Sequence, residues 1–181
     1  MHWSKSGPDY DMYIVVEQTE TNHANLSFRG LECRCSIGKG KITENKVEGD
    51  LCTPAGKWAL RRVFYREDRL PKPDTVLQTL RVSKNMGWSD DPRDDRRYNT
   101  LIKTPYSFSH ETLWRSDSLY DIIVELGYND SPPILGRGSA IFMHLARPNF
   151  EPTAGCVALK KSDLLSLLSL VSHGDLLNIV K

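Results

Sequence analysis

The sequence predicts a mainly β fold with one helix near the C-terminus. Three observations carry this: short β-branched and aromatic runs recur along the chain, Gly, Asn and Pro punctuate them, and only the stretch after Ser162 repeats its leucines at helical spacing. Residues 12–17, with Tyr-Ile-Val-Val at their centre, read as the first strand. Residues 26–28 and 31–37 read as a hairpin around Arg29 and Gly30, and Gly38 and Gly40 mark a turn. Residues 41–49 are polar and predict a loop, and residues 58–65 predict another strand. The stretch 66–106, rich in Asp, Arg, Pro and Asn, predicts a long irregular section, which in a compact domain is usually functional or mobile. Residues 120–128 have strand composition and 129–133 supply a turn. Residues 140–144 form a short apolar strand entered through Gly136, Arg137, Gly138 and Ser139, and 157–159 form another. Ser162 is placed to cap a helix with Asp163 in its first turn and Leu164, Leu165, Leu167, Leu168 and Val171 as its buried stripe. That helix is expected to end between Ser172 and Gly174, with residues 175–180 as the last strand.

The 181 residues carry 24 Lys+Arg against 23 Asp+Glu, a formal net charge of +1. That length predicts a single domain over 1–181, with its core over about 12–181. With 39% hydrophobic and 26% charged residues, the chain can bury a real core and is unlike a disordered tail. Bulk charge gives no support to a nucleic-acid or membrane-surface role, and no run approaches the roughly 18 apolar residues of a membrane span. The first residues lack the apolar centre and cleavage site of a secretory signal. This leaves retention in the cell, export by another route, or a mature form. Cys33, Cys35, Cys52 and Cys156 do not have the spacing of a redox pair or a common zinc site. The first three read as small buried strand residues, and no metal is expected.

The chemistry-bearing segment runs from His144 to Cys156. A histidine ending one strand and a cysteine opening the next, joined by a Pro-containing loop, can share one edge of a sheet. An imidazole beside a thiol stabilises the thiolate, lowers its pKa and makes a nucleophile. Gly155 allows close backbone approach, so the Gly155 and Cys156 amides are candidate oxyanion donors. The plainer alternative, a small core cysteine and a satisfied strand-end histidine, fits the spacing as well.

The block His144…Thr153-Ala-Gly-Cys156-Val resembles the signature of the L,D-transpeptidase catalytic domain (YkuD type). Two further segments are similar to that family and lie in its order: Thr53-Pro54-Ala-Gly56-Lys-Trp58, and the helix start at Ser162 followed by Gly174-Asp175. Trp88, Arg97-Tyr98-Asn99, Ser109-His110-Glu111, Trp114-Arg115 with Asp117, and Tyr120-Asp121 resemble one bacterial branch of it.

The resemblance implies a β-sandwich or barrel of mixed strands, one C-terminal helix and long active-site loops. It implies that Cys156 is the acyl-accepting nucleophile and His144 its base and later acid, with no cofactor. The implied reaction is attack on a peptidoglycan stem peptide at the diaminopimelate–D-alanine bond. A thioester forms, and the acyl group passes to an amine of a second stem, giving a 3-3 or an unusual 1-3 crosslink. Hydrolysis, D-amino-acid exchange and a non-catalytic wall-binding role are the alternatives. Ala154 and Ala158 stand where the family often has His and a polar residue, so the resemblance implies that acceptor contacts of those side chains are lost or supplied elsewhere, with a different subsite. Arg147, Arg137, Thr153 and His110 are the candidate substrate contacts, the arginines because a stem peptide carries carboxylates. Glu111, Arg115, Asp117, Trp88 and Tyr98 stand behind them. The chemistry implies the cell envelope or periplasm, with the cytoplasm as the alternative, and a monomer.

Overall fold

Side chains on a strand alternate between two faces, and this period of two lets one closed sheet serve two cores. The structure, a computed structural model, describes residues 12–20 and 22–181. The expected first strand is present as β1 (Tyr13–Gln18), which pairs with β2 (His23–Phe28), itself joined through the Arg29–Gly30 turn to β3 (Leu31–Ser36). Two short strands, β4 (Ile42–Thr43) and β5 (Thr53–Pro54), pair in parallel ahead of the ten-residue β6 (Gly56–Tyr65).

The stretch expected to be irregular contains β7 (Gln78–Arg81), β8 (Met86–Ser89) and β9 (Leu101–Lys103), and β10 (His110–Thr112) follows. β7 runs parallel to β6, and β10, β8 and β9 form a separate three-stranded sheet. β11 (Ile122–Leu126), β12 (Phe142–Leu145), β13 (Val157–Leu159), α1 (Lys161–Leu170) and β14 (Leu176–Val180) complete the order.

The main sheet runs β11-β12-β13-β3-β2-β1-β14-β6, and β6 pairs again with β11, closing a mixed barrel. β6 is long enough to serve both seams. Its first half lies against β14, with Trp58 opposite Leu177, and its second half lies against β11, with Val63 opposite Val124.

The inward set includes Ile14, Val16, Leu26, Val63, Ile122, Val124, Met143 and Val157. The outward residues of the same wall, Phe64, Ile123 and Phe142, form a second core with Trp88, Leu113 and Tyr120. The small β8–β10 sheet therefore covers the outer face of β6, β11 and β12. Trp88 meets Phe142 edge to face at 5.1 Å. Arg66 and Arg69 tie the segment to the barrel by donating to the Arg115 carbonyl, and Arg69 also reaches the Ser116 and Asp117 carbonyls.

The helix differs from the sequence expectation at its start. Lys160, not Ser162, is the N-cap residue, because its carbonyl already accepts from the Leu164 amide at 2.9 Å. Ser162 lies in the first turn and bonds Asp163. Leu164, Leu167 and Leu168 enter the core with Val171, whereas Leu165 is half-buried, and the helix stops at Leu170. All four cysteines are free: Cys35 is buried and Cys33 half-buried on β3, while Cys52 lies in a loop and not a strand. No helix among the described residues is long and apolar enough to cross a membrane. The expected features of the first eleven residues lie outside the described ones.

Candidate active site

β12 and β13 are parallel neighbours in which His144 lies opposite Ala158. Cys156, two residues before Ala158, therefore shares the outward face with His144 and Phe142. His144 and Cys156 both line a cleft of about 180 Å³, whose wall includes Glu111, Arg115, Tyr120, Arg147 and Thr153.

The thiol is held by the strand beside it. Cys156 Sγ donates to the Ala140 carbonyl at 3.3 Å and accepts from the Phe142 amide at 3.4 Å. Ala140 has a positive φ of 51°, and its amide donates to Asn99 Oδ1 at 3.0 Å. Asn99 also accepts from Trp88 Nε1 at 2.9 Å and donates to the carbonyls of Tyr128 and Asn129. One buried amide thus fixes the backbone that fixes the sulfur.

The turn before Cys156 is held just as closely. Thr153 Oγ1 donates to the Cys156 carbonyl at 2.6 Å and accepts from the Gly155 amide at 3.1 Å. Thr53 Oγ1 donates to the Gly155 carbonyl at 2.8 Å and accepts from the Gly38 amide at 2.8 Å. Gly155 has φ +138°, and a Cβ there would sit 2.8 Å from the Cys52 carbonyl oxygen. The two Thr-containing motifs, a hundred residues apart in the chain, meet in this turn.

His144 Nδ1 lies 2.9 Å from the Leu145 carbonyl, which can only accept, so Nδ1 carries the proton and Nε2 keeps a lone pair. Burial pushes the imidazole down to about 4, helped by the positive charges of Arg115 and Arg147 against the pull of the Leu145 carbonyl and Asp117. Burial likewise pushes the thiol up to about 12, against the opposing Phe142 amide bond. The sequence expectation of a thiol lowered by its imidazole is therefore reversed in this arrangement. Both groups rest neutral, because a buried ion pair here would lack solvation.

Tyr120 packs its ring edgewise against His144 at 5.3 Å and lines the cleft together with Glu111. Arg115 spends Nε and Nη2 on Asp117, at 2.8 and 2.7 Å, and turns Nη1 to Glu111 at 3.4 Å. Arg147 is freer: its nearest carboxylate, Glu151, is 3.8 Å away, and about half of its side chain is exposed.

Of the four candidate contacts, Arg147 and Thr153 line the cleft, and Arg137 and His110 do not. Arg137 is exposed on a loop whose carbonyl accepts from the Tyr128 hydroxyl. His110 Nδ1 bonds the Phe108 carbonyl at 2.8 Å, and its ring lies against Tyr106. Alternation along β10 turns the next residue, Glu111, toward the cleft instead. Tyr120 was readable as the start of a strand and as part of the branch resemblance with Asp121, but its place beside the histidine depends on the β11–β12 pairing, which no local signal announces.

The chain matches the family model of the L,D-transpeptidase catalytic domain (YkuD) over residues 9–179. It matches no curated protein and no solved structure. The barrel, the converging Thr53 and Thr153 turns and this match over nearly the whole length agree, and the chain belongs to the L,D-transpeptidase catalytic domain (YkuD) family.

Proposed function

We propose that the chain is a single-domain, monomeric peptidoglycan L,D-transpeptidase of the cell envelope, with Cys156 as nucleophile and His144 as base and then acid. One observation carries this reading: the neutral thiol and an imidazole with a free Nε2 share one face of adjacent parallel strands at the floor of a cleft. The cleft is smaller than the usual 300–1,000 Å³ ligand pocket, which suits the end of a peptide better than a whole disaccharide-peptide.

In the donor step, His144 Nε2 takes the thiol proton as Sγ attacks the carbonyl carbon of diaminopimelate. The tetrahedral adduct collapses, the bond to D-alanine breaks, and His144 returns the proton to the departing amine. A thioester on Cys156 remains. Arg147, held only loosely by Glu151, binds a carboxylate of the stem, while Arg115, committed to Asp117, shapes the wall. In the Gly155 turn the amide is taken by Thr153 Oγ1, so its service as an oxyanion donor requires that bond to yield during the reaction.

The test is incubation with disaccharide-tetrapeptide followed by mass spectrometry, with Cys156→Ala alongside. Cys156-dependent dimers with loss of one D-alanine are expected, and fragmentation names the linked residues. Cys156-dependent tripeptide without dimers would assign a hydrolase, and unchanged substrate would overturn the reading.

A further inference from the structure

Acyl transfer to an amine needs something the donor step does not: the incoming group arrives as an ammonium ion and must lose a proton before it can attack. The usual family position for a second imidazole is Ala154 here, and Ala158 replaces another polar group, so neither supplies that function. We propose that the Glu111 carboxylate receives the ammonium group of the acceptor stem and takes the proton that the amine must lose. The proposal rests on the transpeptidase reading above and assigns that site its acceptor half.

The geometry favours Glu111. It projects from β10, on the small outer sheet, into the cleft whose floor carries Cys156, immediately before β13, so it faces the thioester from a different layer. Arg115 Nη1 donates to its carboxylate at 3.4 Å, and Tyr120, which lines the same cleft, touches the His144 ring. Glu151, the other acid on the cleft, is largely exposed and lies against Arg147. Asp90 adds a second negative charge near Glu111, and its Oδ1 is buried with no partner among the described residues, a potential suited to a cation. The groups whose charges act on Glu111 are Arg115, Asp90 and Asp117, and its carboxyl is raised mainly by burial, which makes it a better proton acceptor.

The protons balance. An N–H bond of the ammonium breaks and an O–H bond forms on Glu111. The neutral amine then attacks the thioester carbon, the C–S bond breaks, and the second amine proton passes through His144 to the sulfur. Glu111 gives its proton to solvent as the product leaves. Any primary ammonium fits this chemistry, whether on the diaminopimelate side chain or at the first residue of the stem.

The experiment compares wild type, Glu111→Gln and Glu111→Asp with disaccharide-tetrapeptide, whose only free amine is on diaminopimelate, and with sugar-free tetrapeptide, which adds a free α-amine. Product fragmentation separates the two acceptor sources. For Glu111→Gln the ratio of dimer to tripeptide is expected to fall about 100-fold, with the acyl-enzyme mass accumulating on Cys156. Glu111→Asp should recover part of it. Hydroxylamine, already neutral at neutral pH, should discharge the Glu111→Gln acyl-enzyme at the wild-type rate. A wild-type dimer ratio in Glu111→Gln, or a discharge defect that hydroxylamine shares, would overturn the proposal. Failure of the wild type to acylate at all is a separate result: it removes the transpeptidase reading and this inference with it.

Discussion

His144 and Cys156 are displaced in opposite directions by the same burial, which sets the pH behaviour of any reaction they share. The neutral pair exists between the imidazole near 4 and the thiol near 12. Acylation is therefore expected to be flat across neutral pH and to fall on an acid limb as His144 gains its proton; a rise tracking an ordinary imidazole near 6.5 would contradict the arrangement. Alkylation of Cys156 by iodoacetamide should be slow at neutral pH, since little thiolate is present. Replacing His144 by Ala should lower the acylation rate about 10²–10⁴-fold, read from single-turnover kinetics. The imidazole also links to stability. Its folded value is depressed from 6.5, so the stability it contributes is complete above pH 6.5 and lost as pH falls toward 4. The loss is about 3 kcal/mol and is measurable as a lower denaturant midpoint at acid pH. Arg147→Ala should raise KM for the tetrapeptide about tenfold, the worth of one charge-assisted hydrogen bond, while Arg137→Ala on its remote loop leaves it unmoved.

The turn 153–156 shows where sequence was sufficient and where it was not. That Thr153, Gly155 and Cys156 act together was visible in their adjacency, and the meeting with Thr53 in the family resemblance. What each does was not: Thr153 reads as a substrate contact, yet its hydroxyl is already engaged at both ends by the turn. Thr153→Val removes both bonds and is expected to cost about 1–3 kcal/mol of stability together with activity, and Thr153→Ser should restore both; thermal melts beside turnover assays check the pair. Gly155→Ala meets the Cys52 carbonyl at 2.8 Å in a backbone region that side chains avoid, so it should lower the melting temperature and disorder the thiol. Longer strands such as β1, β3, β6 and β11 were legible from runs of five or more strand-forming residues, whereas of β2 only residues 26–28 were read, because His23 to Asn25 carry little strand composition. β7 to β10 were not, because three or four residues among Arg, Asp and Pro carry no period and acquire strand form only by pairing across the chain.

Across the whole molecule, closure between β6 and β11 lets one wall hold two cores, an inner one of aliphatic side chains and an outer one of aromatic rings. The two should respond differently to truncation. Ile14→Ala, deep in the inner set, is expected to cost about 2–5 kcal/mol in chemical denaturation while the protein that stays folded keeps the proposed acylation rate. A mainly β fold with one late helix was legible from composition and punctuation. The ring order was not, because β1 beside β14 and β13 beside β3 join distant parts of the chain. On β12, Met143 and Leu145 point inward while Phe142 and His144 point out. A strand with such a double duty behaves like text read in one frame only. A single inserted residue between Phe142 and Leu145 would send the histidine into the aliphatic interior and a methionine or leucine into the cleft. Changes of length are thus confined to the connecting segments, above all residues 129–139 and 146–152, and divergence among chains of this build should accumulate there as insertions and within the strands only as exchanges.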